Sequence, residues 1–455
     1  LPLAIELVAA RTKLLSPRAL RTRLARDLDT AVSATPRPER HRSLRGAVAW
    51  SYGLLTPEQQ RVFRALGIFD GSFGLDAVAA VLADDRDPLA AVEELVDSSL
   101  VVVEEGWAGV DSGGAADSLG WAGEPRARLL RTIAVHAREL LAAAGELEPA
   151  RRRHAGHLLA FVEEVAPGLR SGSYLSARDR IEQELDDVRA ALEWAVPEDV
   201  ADGADPARLA TGLRMCQELY WFWYACGYQA EGRRWLSRAV RAAGDQDSPE
   251  LMTALHGLGV LLSQHGEVEQ GRDALERSLA YWRRQGDPAR IARELSSLAV
   301  VHRAEGEAEV ARGMLAEAIE LARVSGDAER LAAALSNLAI MDVDEDRPAE
   351  ALARLREALA LDRERGDTWG VVADHVNIAA ALLEDGRPAE ALRTLRDVTD
   401  DSRRLSDPDL SVALIEIFAV TFAALDDATR AARLLGAATA MRERLELPID
   451  PPDAA

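Results

Sequence analysis

A chain of 455 residues is long enough for two to four domains, and 48% hydrophobic residues exclude a disordered chain. A formal net charge of −22 argues against a sequence-independent grip on nucleic acid, so DNA contact by this chain is not expected. No apolar run reaches the ~18 residues of a membrane helix, and no signal peptide is visible. Leu1 to Asp29 reads as two helices, with Pro2 where a missing N–H costs nothing and Ser16-Pro17 opening the second. The chain opens inside this helical pattern without a methionine, which predicts a preceding portion. Thr35 to Pro38 is a linker.

Residues 41–145 form the next unit. A helix carries Leu44, Val48, Trp50 and Leu54-Leu55. Thr56-Pro57-Glu58-Gln59 starts a second, ending near Leu66-Gly67. Phe69 to Phe73 is a turn with an aromatic residue at each end. Helices follow at Leu75–Leu82 and Pro88–Ser98. The β-branched run Leu100–Glu104 is a strand, 106–125 a loop, Arg126–Leu130 the returning strand and Thr132–Ala144 a helix. Helices followed by a two-stranded ribbon give a winged-helix outline.

Residues 146–204 read as a helical connector, broken at Pro167-Gly168 and ended by an acidic linker. His154 and His157 stand three apart after Arg151-Arg152-Arg153; without a third ligand they read as a solvated helix face. Tyr220 to Tyr224 is an aromatic run that reads as core, here the seam between the connector and the first repeat; stacking a flat ligand is the alternative. Cys216 and Cys226, the only cysteines, lie on an apolar helical stretch and read as reduced thiols in a cytoplasmic protein.

From about 205 to 447 the sequence repeats. The turn pairs Gly286-Asp287, Gly326-Asp327 and Gly366-Asp367, with the weaker Ser406-Asp407, recur every 40 residues. Gly266-Glu267, Gly306-Glu307, Asp346-Arg347 and Gly386-Arg387 mark the half-period. Leu275, Leu315, Leu355 and Leu395 keep the step, as do Ala311, Ala351 and Ala391. Apolar residues at i, i+3, i+4 and i+7 make each half-repeat a helix, so the period predicts about six stacked hairpins. Residues 448–455 are a polar tail.

The repeat resembles the tetratricopeptide (TPR) family in its longer form, with Gly259, Ala299, Ala339 and Ala379 at the helix crossing. The resemblance implies a right-handed superhelix whose groove binds a protein or peptide. Asn337 and Asn377, equivalent in successive first helices, match the groove asparagines of such proteins; Arg293 and Arg303 are added as charged groove candidates. Capping of the hairpins is the other reading of these polar residues.

LPLAIELVAARTKLLSP, RHRSLRGAVAWSYGLLTPEQQRVFRALGIFDGSFGLDAVAAV and RARLLRTIAVHARELL resemble the carboxy-terminal part of the NB-ARC module of STAND-type signalling ATPases. Bacterial members sit in AfsR/SARP-like and LuxR-like transcriptional regulators. The resemblance implies that 1–40 are the last helices of a nucleotide module and that Pro2 packs near bound adenine nucleotide. The family's phosphate-reading histidine falls at Leu130, so Arg131 is the candidate substitute. No G-x-x-x-x-G-K-[ST] occurs, so the chain as it stands is not an enzyme, and it holds no metal or cofactor site of its own. ATP or ADP is expected only with an upstream P-loop, and with it a nucleotide-dependent oligomer and a DNA-binding head. A free-standing TPR adaptor and the regulatory part of an upstream kinase or cyclase are the alternatives. The expected fold is mostly α: a winged-helix domain, then a TPR α-solenoid, with one small β-ribbon.

Overall fold

The computed structural model describes residues 44–84, 86–104, 126–198, 205–244, 247–405 and 407–445. The expectations for 1–40 (Pro2 among them), for the loop at 106–125, for most of the acidic linker and for the tail lie outside the described residues. The chain divides into two compact units. One runs to Phe161 and takes in Glu182–Ala195; the other comprises Val162–Ile181 and the chain from Val196 onward. The stretch read as a connector is thus shared between the two.

In the first unit, helices α1 (Leu44–Gly53), α2 (Pro57–Leu66), α3 (Leu75–Leu82) and α4 (Pro88–Asp97) precede strands β1 (Val101–Glu104) and β2 (Arg126–Leu129) and helix α5 (Arg131–Ala143). The strands pair antiparallel with Val101 opposite Leu129 and Glu104 opposite Arg126. Phe73 adds a further antiparallel bridge to Ala127. Thr56 caps α2 in a capping box with Gln59, as Thr-Pro-Glu-Gln predicts. The core gathers Val62, Phe63, Leu66, Phe73, Val78, Leu95 and Leu141, all essentially inaccessible. Phe69 and Phe73 meet within it in a tilted pair at 4.7 Å. Helix α2 approaches α5 so closely that a Cβ on Gly67 would lie 2.6 Å from the Arg138 nitrogen. Arg138 answers by donating to the carbonyls of Gly67, Ile68 and Phe69. Helix α6 (Leu147–Val165) starts in this unit, and α8 (Leu185–Ala195) belongs to it.

The histidine reading fails here. His154 is buried, edge-on to Phe69 at 5.2 Å, with Nε2 3.2 Å from Asp187. Asp187 accepts from the Asp70 and Gly71 backbone nitrogens at 2.8 and 3.1 Å. A buried carboxylate on α8 therefore turns this histidine inward, which local sequence around α6 does not reveal.

The second unit contains the 3-10 turn Ala166–Arg170, helix α7 (Tyr174–Gln183) as far as Ile181, and the hairpins. These are α9 (Pro206–Ala225) with α10 (Gln229–Ala243), α11 (Pro249–Gln264) with α12 (Val268–Gln285), and α13 (Pro288–Ala304) with α14 (Ala308–Ser325). Then come α15 (Ala328–Asp344) with α16 (Pro348–Arg365), and α17 (Thr368–Glu384) with α18 (Pro388–Asp397) and α19 (Thr399–Leu405). Last are α20 (Pro408–Ala424) and α21 (Ala428–Leu445). The Gly-Asp pairs explain the phase. Gly286, Gly326 and Gly366 end one helix at φ of +71, +68 and +71°, where a side chain would be strained. The next residue caps the following helix: Asp287, Asp327, Asp367 and Asp407 accept from the N3 backbone N–H at 2.9–3.0 Å.

Leu275, Leu315, Leu355 and Leu395 are buried, each stabilising by about 2 kcal/mol. Ala299, Ala339, Ala379, Ala311, Ala351 and Ala391 are all buried, and Gly259 lies against Gly271, where a Cβ on either would meet the other's carbonyl. Asp346 adopts φ +57° where sister repeats place glycine. Asp346→Gly is expected to stabilise the array by about 0.5–1 kcal/mol, read as a small rise in melting temperature. A fall would show that the Asp346 side chain holds the turn.

Candidate functional site

Helical spacing puts every third, fourth and seventh residue of a first helix on one face. Arg290, Arg293 and Ser297 share such a face on α13; Arg330, Ala333 and Asn337 share it on α15; Gly370, Ala373 and Asn377 share it on α17. Asn337 and Asn377 are half-buried, and their amides make no hydrogen bond among the described residues. They are therefore not caps: the caps are the aspartates already named.

The arginine candidates differ. Arg293 is engaged within its helix, donating to Glu294 at 2.8 and 3.3 Å. Glu294 is wholly buried and also receives His256 Nδ1 at 2.8 Å. Burial alone would push this carboxyl up; the electrostatic attraction of His256 and Arg293, with their hydrogen bonds, outweighs it and holds it down to about 2. Burial pushes His256 down, so at neutral pH the ring is uncharged and donates. Tyr220 lies edge-on to His256 at 5.7 Å and joins the first hairpin to this cluster. Arg303 pairs with Asp344 on α15 at 3.1 Å, a tie between neighbouring hairpins.

The polar column continues. Two repeats on from Glu294 stands Asp374, buried, with Ser336 Oγ donating at 2.6 Å. Burial pushes its carboxyl up to about 8. Trp369 Nε1 donates to Asp407 at 2.8 Å. These pairs each join a first helix to the start or body of the next one.

The aromatic run divides by helical geometry. Phe222 and Trp223 are core, while Tyr220, Trp221 and Tyr224 are half-buried on the other side. Trp221 stacks on Tyr224 at 4.8 Å and meets Trp369 edge-on at 5.1 Å. Neither Cys216 nor Cys226 is in a disulfide, and burial pushes Cys216 up to about 12.

Arg131 is exposed at the first position of α5. One exposed guanidinium does not make a nucleotide site, and its companion Pro2 lies outside the described residues. His302 Nδ1 is bonded to Glu307 at 2.6 Å, while Glu305 is held by Arg272 at 3.0 Å, an ion-pair network between hairpins.

No described helix is long and apolar enough to cross a membrane. Residues 289–364 match the tetratricopeptide repeat family. That stretch spans the hairpins α13/α14 and α15/α16, and the hairpins around them repeat the same form. A Mycobacterium tuberculosis protein with the provisional name HTH-type transcriptional regulator Rv0890c is 30% identical over 321 residues, 65% of this chain. The chain spans 32% of that protein, about a third of the length of the curated relatives it matches. An uncharacterised M. tuberculosis protein, Rv0894, is 36% identical over 165 residues, 34% of this chain and 38% of its own. Among solved structures, a STAND protein with a tetratricopeptide repeat sensor from Pyrococcus horikoshii aligns over 97% of this chain and 72% of its own, at 14% identity and a TM-score of 0.37. A Rap protein complexed with competence and sporulation factor aligns over 64% of this chain and 98% of its own, at 13% identity and a TM-score of 0.44.

The sequence did not single out Glu294, His256, Asp374, Arg330 or Trp369. One signal was available. At the 40-residue step, positions 254 and 334 are alanine and 414 is leucine, so Glu294 and Asp374 interrupt an apolar column.

Proposed function

We propose that this chain is the partner-sensing portion of a STAND-type signal-transduction ATPase that regulates transcription. The observation that carries it is the repeat array with two equivalent asparagine amides, Asn337 and Asn377, uncommitted among the described residues on one helical face. An amide offers a donor and an acceptor, which suits an extended peptide backbone. The provisional name of the regulator that this chain partly matches supports the transcriptional reading. The order of helices, ribbon and helix in 44–143 supports a winged-helix relay. On this reading the P-loop, which the chain lacks, stands in a segment upstream of Leu1 and carries the nucleotide chemistry. The partner must bind one state of the switch more tightly than the other, or nothing is switched.

Two measurements test this. The intact mass of the native protein should far exceed 49.3 kDa, with a P-loop ahead of Leu1. A native start at Leu1 would leave a tetratricopeptide adaptor instead. Asn337→Ala with Asn377→Ala should lower partner capture about tenfold or more while leaving the helical melt nearly unchanged. Undiminished capture in a pull-down would remove the asparagines from the site.

A further inference from the structure

The segment after α6 does not behave as a linker. Leu169 and Tyr174 are almost inaccessible. The Arg170 guanidinium lies 3.8 Å from the Trp221 ring centroid and pairs with Glu329. Tyr174 Oη donates to the Ala225 carbonyl at 3.3 Å, and Arg178 donates to the Leu405 carbonyl at 3.3 Å. A Cβ on Gly366 would stand 3.3 Å from the Gly172 nitrogen. The segment thus touches the first, fourth and fifth hairpins at once. The array closes around it: Trp221 meets Trp369, and Gln229 donates to Asp409 at 2.8 Å.

Charge decides what this place accepts. Glu329 faces Arg170, Arg330 at 3.1 Å and Arg365 at 3.7 Å. Arg365 in turn faces Asp362 at 2.7 Å and Asp367 at 3.4 Å. Three carboxylates stand against three guanidiniums, and Arg170 is the one that comes from outside the repeats. Without it, a negative charge is uncompensated beside an indole face. A planar cation that stacks and pairs in the same place is a guanidinium; an ammonium pairs but does not stack.

We propose that residues 166–174 are a strap seated in cis on the partner site, and that the site's ligand is a peptide presenting an arginine side chain. The proposal rests on reading the array as a partner-binding surface and names the chemistry of that partner. Arg330 and Asn337 share a helical face, so a peptide anchored by its arginine at Trp221 and Glu329 runs on toward the asparagine amides.

The test uses the full chain and a fluorescein-labelled peptide copying Pro167–Tyr174, read by fluorescence anisotropy. Arg170→Ala should bind the peptide about tenfold or more tightly than the unaltered protein, because the competing strap is weakened. The same peptide with alanine at its arginine should lose that gain. Equal affinity for both proteins, or equal binding of both peptides, overturns the proposal. If Arg170→Ala lowers the helical melt too far, Arg170→Lys keeps the charge and loses the stacked fork. It should still show a gain of several-fold, and no gain overturns the strap. An overturned strap beside intact Asn337- and Asn377-dependent capture leaves the partner reading standing; loss of both removes it.

Discussion

Glu294→Ala is expected to cost the array about 3–5 kcal/mol and to lower its melting temperature by about 10 °C. The carboxylate is wholly inaccessible and holds two donors, His256 Nδ1 and the Arg293 fork. Alanine leaves a guanidinium that is only 12% exposed without its counter-charge and strands the imidazole N–H. Glu294→Gln keeps an acceptor for His256 and removes only the charge, so its loss should be about half as large. The coupling belongs to the pair: in a double-mutant cycle, His256→Ala should cost little more once Glu294 is gone. Glu309, exposed on α14, is the control, and its alanine variant should be nearly neutral. Equal melts for Glu294→Ala and Glu309→Ala would show that the buried cluster does not hold the second and third hairpins together.

The parts of this molecule that were legible are those whose chemistry is local. A glycine that must be left-handed and an aspartate that caps three residues ahead announce each hairpin, and leucines at a fixed step announce the buried stripe. The capping box at Thr56 and the strand pair from Leu100 to Leu129 are local in the same sense. Arg170 was not legible, because it follows Pro167-Gly168, which reads as a break, and its partners Trp221 and Glu329 lie far along the chain. His154 was misread for a related reason: an arginine triplet beside it suggests water, while Asp187, one helix pair later, fixes it inside. Asn337 and Asn377 were singled out by repeat equivalence and family resemblance, and Arg293 and Arg303 as charged residues for the same groove; each arginine is engaged by a carboxylate.

The second large effect is one of pH. Asp374 is 2% exposed, receives only the Ser336 hydroxyl on Oδ1, and leaves Oδ2 buried without a partner among the described residues. Burial, with Asp362 and Asp367 adding repulsion, raises its carboxyl from the ordinary 3.8 to about 8. The folded state therefore binds a proton that the unfolded state has released. Stability from this group is full below pH ~4 and is lost as the pH rises through about 8. Asp374→Asn keeps the acceptor for Ser336 and abolishes the titration, so it should flatten the fall in melting temperature between pH 5 and 9. Between pH 5 and pH 9 the variant should gain on the parent by about 4 kcal/mol, the loss over the three pH units below the folded value. Glu294 works in the opposite window: its lowered carboxyl supports the fold above the unfolded value near 4.5, and that support is lost as the pH falls through about 2. Alkaline loss therefore reports Asp374 and acid loss reports Glu294. An alkaline slope that survives Asp374→Asn would mean that water reaches the carboxylate and that the column is less dry between the fourth and fifth hairpins than its burial indicates.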